Sequence, residues 1–205
     1  MTSAMQAYDQ YDALIFDMDG TLVDSGQVHE QAWKQALNKH HIPIDAELMR
    51  SLAGVPTVQT VERLIQYFQL QSDIQPVLVA HDKAQFAAEL APKYLQATKL
   101  KEVVLHYAGR KPMALGTGAL SGEAQNILKL LKLDQYFPVI VGGDNVSKHK
   151  PAPDTFLLCA EKLQVEASKC VVFEDSVLGL EAGRAAGMSV IDVALDLDIH
   201  NDYFL

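Results

Sequence analysis

The sequence predicts an α/β fold, a parallel sheet covered by helices on both faces, with an all-helical segment inserted near its start. Three observations carry that prediction. From Pro112 onward, short apolar runs alternate with helical periodicity, the pattern of parallel strands joined by crossover helices. Between residues 26 and 95 the apolar positions recur at helical spacing, without period-two alternation. Ahead of both, the apolar run from Tyr11 to Phe16 stops abruptly at Asp17 and Asp19, as a buried strand does where it meets a ligand-binding rim.

Taken in order, Tyr11–Phe16 reads as the first strand, and Gly20 lets the chain turn directly after the two acids. Val28–His40 and Ala46–Leu52 read as helices. Thr57–Leu70 places Val58, Val61, Leu64, Ile65 and Phe68 on one helical face. A fourth helix is expected from Gln75 to about Leu95, interrupted or ended near Pro92. Pro112–Leu115 is the next strand, ending in Gly116-Thr117-Gly118. Ser121 is placed to cap the helix that follows, whose apolar face is Ala124, Ile127, Leu128 and Leu131. Val139–Val141, Cys170–Phe173 and Ser189–Val193 complete five strands. Pro153 suits the first turn of a helix through Leu163. Ser176–Gly187 is a helix with glycine at 179, 183 and 187; close packing on the sheet is the reading for the first two, and a C-terminal cap for Gly187. Tyr203-Phe204-Leu205 is expected to cover a sheet edge.

Composition narrows the function. The 205 residues, 49% hydrophobic, suffice for a core plus a small inserted domain. The longest apolar stretches fall short of the ~18 residues that span a bilayer, and Met1–Gln10 lacks an export pattern, so a cytoplasmic protein without a membrane partner is expected. Cys159 and Cys170, both in apolar contexts, are too few for a disulfide framework or zinc cluster, which fits a reducing compartment. A net charge of −9 without a basic stripe argues against nucleic acid. A monomer is expected.

Four strand ends carry polar or titratable groups: Asp17 and Asp19, Thr117, the segment containing Lys150, and Glu174-Asp175. In a parallel sheet they share one rim. An isolated D-x-D-G is as often a solvated turn as a metal site. Here the apolar strand before it and the matching groups elsewhere favour a cage for a divalent cation and a phosphoryl group. Lys148 competes with Lys150 for the cationic role, and the directly following proline favours Lys150. Lys148 and His149 read as solvated neighbours, Asp144 as a loop residue, Asp154 as a helix first-turn acid and Asp24 as a hinge or cap.

The motifs D-M-D-G-T, the threonine of L-G-T-G, K-P-A-P-D and E-D-S-V-L-G-L-E-A-G-R-A-A-G, in that order and spacing, resemble those of the haloacid dehalogenase superfamily, in its phosphatase and phosphomutase branch with a small helical cap. The resemblance implies a Rossmann-like five-stranded sheet of order 3-2-1-4-5. It implies a catalytic core of residues 1–24 and 96–205, and a helical cap of residues 25–95. It further implies Asp17 as the nucleophile that forms an aspartyl-phosphate and Asp19 as general acid and base. Magnesium would be held by Asp17, the Asp19 carbonyl and Asp175, with Glu174 joining them or orienting the metal's waters. Thr117 and the amides of Gly118 and Ala119 would hold phosphate oxygens, with Lys150 neutralising charge.

In the helical segment, His29 and Trp33 share a helix face and resemble a pair found in the β-phosphoglucomutase-like subgroup. Gly54-Val55-Pro56-Thr57 resembles that subgroup's substrate-reading loop, and Lys83 stands where it has a substrate-binding lysine. A phosphomutase places an arginine in the loop to grip a second phosphate; Pro56-Thr57 stands here instead, which favours hydrolysis over isomerisation. The L-A-G-V-P-T, G-R-K-P-M-A-L-G-T-G and K-H-K-P-A-P-D-T-F-L-L-C-A segments resemble bacterial fructose-1-phosphate phosphatases, implying a small sugar phosphate as substrate. Phosphomutase chemistry is the alternative. A receiver-like phospho-switch, which also uses strand-end acids and a lysine, gives no reason for the helical insert.

Overall fold

The computed structural model describes residues 6–52, 55–70, 73–201 and 203–204. The chain divides into two compact units, Met1–Asp24 with Gln96–Asn201, and Ser25–Leu95 with Asp202–Leu205. In chain order the elements are β1 (Ala13–Phe16), β2 (Val23–Asp24), α1 (Gly26–Lys39), α2 (Ala46–Ser51), α3 (Thr57–Tyr67), α4 (Pro76–Tyr94), β3 (Gln96–Ala97) and α5 (Leu100–Tyr107). There follow β4 (Met113–Gly116), α6 (Ser121–Leu130), β5 (Val139–Val141), α7 (Asp154–Leu163), β6 (Cys170–Glu174), α8 (Val177–Ala185), β7 (Ser189–Asp192) and α9 (Val193–Leu197).

The first unit is built on β1. Its four residues are all buried, and it pairs in parallel with β4 on one side and β6 on the other. The full order, β5-β4-β1-β6-β7, is the 3-2-1-4-5 arrangement expected from the sequence, Rossmann-like and parallel throughout. Because side chains alternate along a strand, β1 feeds two cores. Ala13 and Ile15 join Ala114, Val141, Phe156, Cys159 and Val172 on one face. Phe16 stacks on its register neighbour Phe173 with centroids 4.7 Å apart, and Phe137 meets Phe16 edge-on at 5.7 Å. Such pairs add about 1 kcal/mol each beyond their buried area. Gly183 lies where a Cβ would press on Val190 and Val172, the close sheet packing the sequence anticipates, and Gly187 at φ +73° follows the end of α8. β2 and β3, a two-residue antiparallel ribbon, pair where the chain leaves and re-enters this unit; they are too short to show periodicity in sequence.

The second unit packs α1 to α4 around Trp33, Ala36, Leu37, Met49, Val61, Leu64 and Val79. α4 includes Pro92 and ends close after it, as expected. Pro92 sits in the last turn, so the helix forgoes one hydrogen bond and ends two residues later. α3 stops at Tyr67 rather than Leu70, with Gln69 in the left-handed region at φ +52°. The C-terminal aromatics do not cover a sheet edge. Phe204 is buried in the helical unit, its N–H donating to Glu30 at 2.9 Å and its carbonyl accepting from Arg50, and Tyr203 packs against the same core, so both aromatics belong with the helices.

Asp24 belongs to β2 and caps no helix; the residue preceding α1 is Ser25. Ser121 is the first residue of α6 rather than its cap, and its hydroxyl donates to Asp144 at 2.6 Å.

Candidate active site

Asp17 is the residue after β1, and its N–H donates to Phe173 O at 3.0 Å, which fixes it at the carboxyl rim of the sheet. Glu174 ends β6 and Asp175 follows. Carboxylate oxygens of Asp17, Glu174 and Asp175 lie within 4.8 Å of one another. Lys150, from the loop before α7, enters the same cluster, its Nζ donating to Asp17 Oδ1 at 2.5 Å, Glu174 Oε1 at 2.8 Å and Gly116 O at 3.2 Å. The sequence motifs are thus brought together at one end of the sheet.

Each carboxylate is held locally. Glu174 Oε2 accepts from the Ser176 N–H at 2.6 Å and hydroxyl at 2.9 Å. The Ser176 hydroxyl also caps α8 by accepting from the Gly179 N–H at 3.1 Å. A Cβ at Gly179 would overlap the Glu174 carboxylate, so the close packing on the sheet expected of that glycine falls on the last residue of β6 and leaves the site its acid. Asp175 Oδ1 accepts from the Thr21 hydroxyl at 3.0 Å, and Thr21 is in turn fixed by Thr98, which donates to its carbonyl at 2.7 Å. Gly20 adopts φ +82°, and a Cβ there would overlap the Asp175 carboxylate. Asp19 is half-buried on the same loop, beside the tight turn in which the Gly20 N–H donates to Val23 O at 2.8 Å.

Charge in the cluster is unbalanced. Three carboxylates and one ammonium give −3 + 1 = −2 when all are ionised. At 4–5 Å and an effective dielectric near 20, each like-charge pair repels by roughly 3–4 kcal/mol. Burial, and then Glu174 and Asp175, push Asp17 well above the ordinary carboxylate range against the pull of Lys150. Burial, and then Glu174, push Asp175 to about 6, against the Thr21 hydrogen bond. Lys150 is raised: burial disfavours its charge, but Asp17 and Glu174 together outweigh burial. An all-oxygen donor set short of two positive charges fits a hard divalent cation.

Beside the cluster, buried Thr117 follows β4, its N–H donating to Val141 O at 2.9 Å and its Oγ1 accepting the Ala119 N–H at 3.1 Å. Gly118 is exposed. The loop after β5 braces this turn, with the Gly143 N–H donating to Ala119 O at 2.8 Å and Asp144 accepting from the Ser121 N–H at 2.7 Å. Lys148 and His149 are exposed.

The second unit holds its own polar group. Lys83 Nζ lies 3.0 Å from His29 Nδ1 and 5.8 Å from the centroid of the Trp33 ring. Val55 packs against the helical core and Thr57 opens α3. Gly54 lies outside the described residues. Thr21 and Ser176, hydroxyls flanking the acidic motifs, received no role from the sequence, and Gly179 was read only as packing on the sheet.

A family model described as haloacid dehalogenase-like hydrolase matches residues 14–193. The fructose-1-phosphate phosphatase YqaB of Escherichia coli (strain K12) is 41% identical over 188 residues, covering 92% of this chain and 99% of that one. The phosphorylated carbohydrates phosphatase of Thermotoga maritima is 33% identical over 182 residues, covering 88% of this chain and 83% of that one. Among solved structures, a haloacid dehalogenase-like protein from Agrobacterium tumefaciens superposes with a TM-score of 0.75 at 26% identity, covering 88% of this chain and 81% of that one.

Proposed function

The chain belongs to the haloacid dehalogenase-like hydrolases, and from that premise we propose that it is a magnesium-dependent phosphomonoesterase acting on small sugar phosphates of the fructose 1-phosphate kind. The observation that carries this reading is the convergence of the Asp17, Glu174 and Asp175 carboxylates with Lys150 at the carboxyl end of β1 and β6. Two phosphatases of phosphorylated sugars among its relatives support the choice of substrate.

In this reading Asp17 Oδ attacks phosphorus, the bond from phosphorus to the sugar oxygen breaks, and protonated Asp19 gives its proton to the departing alkoxide. Water then attacks the phosphorus of the aspartyl-phosphate, Asp19 takes the water's proton, and the bond to Asp17 breaks to release inorganic phosphate. Asp17, the Asp19 carbonyl and Asp175 would hold magnesium, which supplies Lewis-acid polarisation of the phosphoryl oxygens. Glu174, with both oxygens already engaged by Lys150 and Ser176, is assigned to orienting the site. Thr117, Gly118 and Ala119 are assigned to the phosphoryl oxygens and Lys150 to their charge. For Ala119 this requires its N–H to exchange Thr117 Oγ1 for a phosphoryl oxygen.

The helical unit is assigned the cap's part, selection of the sugar. Lys83 and His29 offer hydrogen-bonding groups to hydroxyls beside the Trp33 ring, and Val55 and Thr57 are assigned to the same task. A cytoplasmic monomer remains part of this proposal; among the described residues no helix is long and apolar enough to cross a membrane.

The test is inorganic phosphate release from a panel of sugar phosphates with and without magnesium, using wild type and Asp17→Asn. Release that requires magnesium and vanishes in the folded Asp17→Asn protein is expected. Isomerisation of β-glucose 1-phosphate to glucose 6-phosphate without phosphate release overturns the hydrolytic reading in favour of a phosphomutase.

A further inference from the structure

Lys150 has a fourth neighbour. The ring of Phe156, in the first turn of α7, lies with its centroid 4.6 Å from Nζ. An ammonium has three donors, and Asp17, Glu174 and the Gly116 carbonyl are three acceptors within 3.2 Å. The ring therefore occupies a side of the cation without competing for a proton. Phe156 is fully buried, packed with Ile15, Ala114 and Cys159 against the sheet. Gly116 is shaped to the same contact. A Cβ there would sit 3.2 Å from two Phe156 ring carbons and 3.1 Å from Cys159 Sγ, tighter than the ring's present position accommodates.

We propose that Phe156 is a positioning residue for Lys150, its π face holding the ammonium at the mouth of the Asp17–Glu174 pair, with Gly116 kept free of a Cβ so that the ring can lie there. Burial disfavours the lysine charge, and the negative face of an aromatic ring offsets part of that cost without offering an acceptor. The lysine thus keeps its donors for oxygen atoms. Of its three bonds the one to Gly116 O is the longest, and it is the one to be exchanged for a phosphoryl oxygen. An aliphatic side chain would fill the same space without attracting the cation. The kinetic consequence rests on the phosphatase reading above; the contact between ring and ammonium does not.

The experiment replaces Phe156 by 4-fluoro-, 3,5-difluoro- and 3,4,5-trifluorophenylalanine in the full-length protein. These nearly preserve ring shape while progressively weakening the quadrupole. With fructose 1-phosphate and saturating magnesium, kcat is expected to fall stepwise by about tenfold across the series, with the melting temperature retained. A flat kcat across the series in an active enzyme overturns the proposal, because packing alone is insensitive to the quadrupole. A second measurement needs no turnover. In protein labelled with 13C-lysine, the Lys150 ε-methylene resonance, assigned by its loss in Lys150→Arg, is expected at a ring-current-shifted position and to return toward the ordinary lysine position in Phe156→Leu. If wild type releases no phosphate from any substrate, the phosphatase reading fails and this resonance alone decides. An unshifted resonance overturns the assignment of Phe156.

Discussion

The Thr21 hydroxyl donates to Asp175 Oδ1 at 3.0 Å, joining the loop after β1 to the loop after β6 across 154 positions of sequence. Thr21 is fully buried and is itself anchored by Thr98. A carboxylate that must present an oxygen to a cation is oriented by such a bond, and losing an outer partner of this kind weakens metal affinity by about 10- to 100-fold. Thr21→Val keeps the shape and removes the donor. Its magnesium activation midpoint is expected to rise by about that factor, with most of kcat recovered at saturation. A magnesium titration of phosphate release checks this.

Gly20→Ala separates two costs. At φ +82° any Cβ is strained, and here it would also overlap the Asp175 carboxylate. Gly187 carries the first cost without the second, with φ +73° and open space where its Cβ would lie. Strain alone costs about 1–2 kcal/mol. Gly187→Ala is therefore expected to lower the melting temperature by several degrees and to keep its response to magnesium. Gly20→Ala is expected to lose the magnesium-induced rise in melting temperature altogether. Thermal denaturation of both variants with and without magnesium is the measurement.

How far the sequence spoke depends on the range of the interaction. The convergence of Asp17, Glu174 and Asp175 was legible because these acids follow short apolar runs that read as buried strands, whereas the strand order and the place of Lys150 came from the resemblance of the motifs. The C-terminal Phe204 was misread because two aromatics after a polar tail carry no period, and its place is set by the helical core that also holds Trp33, Leu37 and Met49. Gly179 was read as packing closely on the sheet, which it does, but its partner there was not legible. Spacing relates it to Gly183, one turn on, and both do face the layer beneath α8. Only the fold shows that Glu174, rather than a sheet valine, lies under it. Pro92 shows a local rule that held, since the helix ends two residues beyond it.

Without magnesium, the acidic cluster should make stability fall as pH rises. Burial and Glu174 raise Asp175 from 3.8 to about 6 in the folded protein, and Asp17 is raised in the same direction, chiefly by burial. Between the unfolded and folded values the native state holds protons that the unfolded chain has lost. Stability from these groups is therefore full below about pH 4 and is lost on rising through pH 6. The Asp175 shift is worth roughly 3 kcal/mol by linkage. Magnesium competes with those protons, so its affinity is expected to increase through the same window. Denaturant midpoints at pH 4.5 and 7, with chelator and with excess magnesium, should show the metal-induced gain chiefly at the higher pH.

Asp82 gives the opposite sign in the helical unit. Its Oδ2 accepts from Lys39 at 2.8 Å and pairs with His40 Nε2 at 2.6 Å, joining the end of α1 to the middle of α4. The Lys39 hydrogen bond, then that of His40, hold the carboxylate below its ordinary value. A depressed carboxylate stabilises the fold above its unfolded value, and the contribution is lost as pH falls through the folded one. Lys83 follows Asp82 directly on α4, and His29 and Trp33 lie on α1, so this pairing helps set the register in which those three side chains meet. Asp82→Asn is expected to raise hydrogen exchange of amides in α1 and α4 while leaving β1 and β6 protected. In the same protein KM for fructose 1-phosphate should rise more than kcat falls, because the substitution loosens the residues assigned to the sugar and leaves the Asp17 cluster intact. An equal loss of protection in β1 would show instead that the pair stabilises the whole chain.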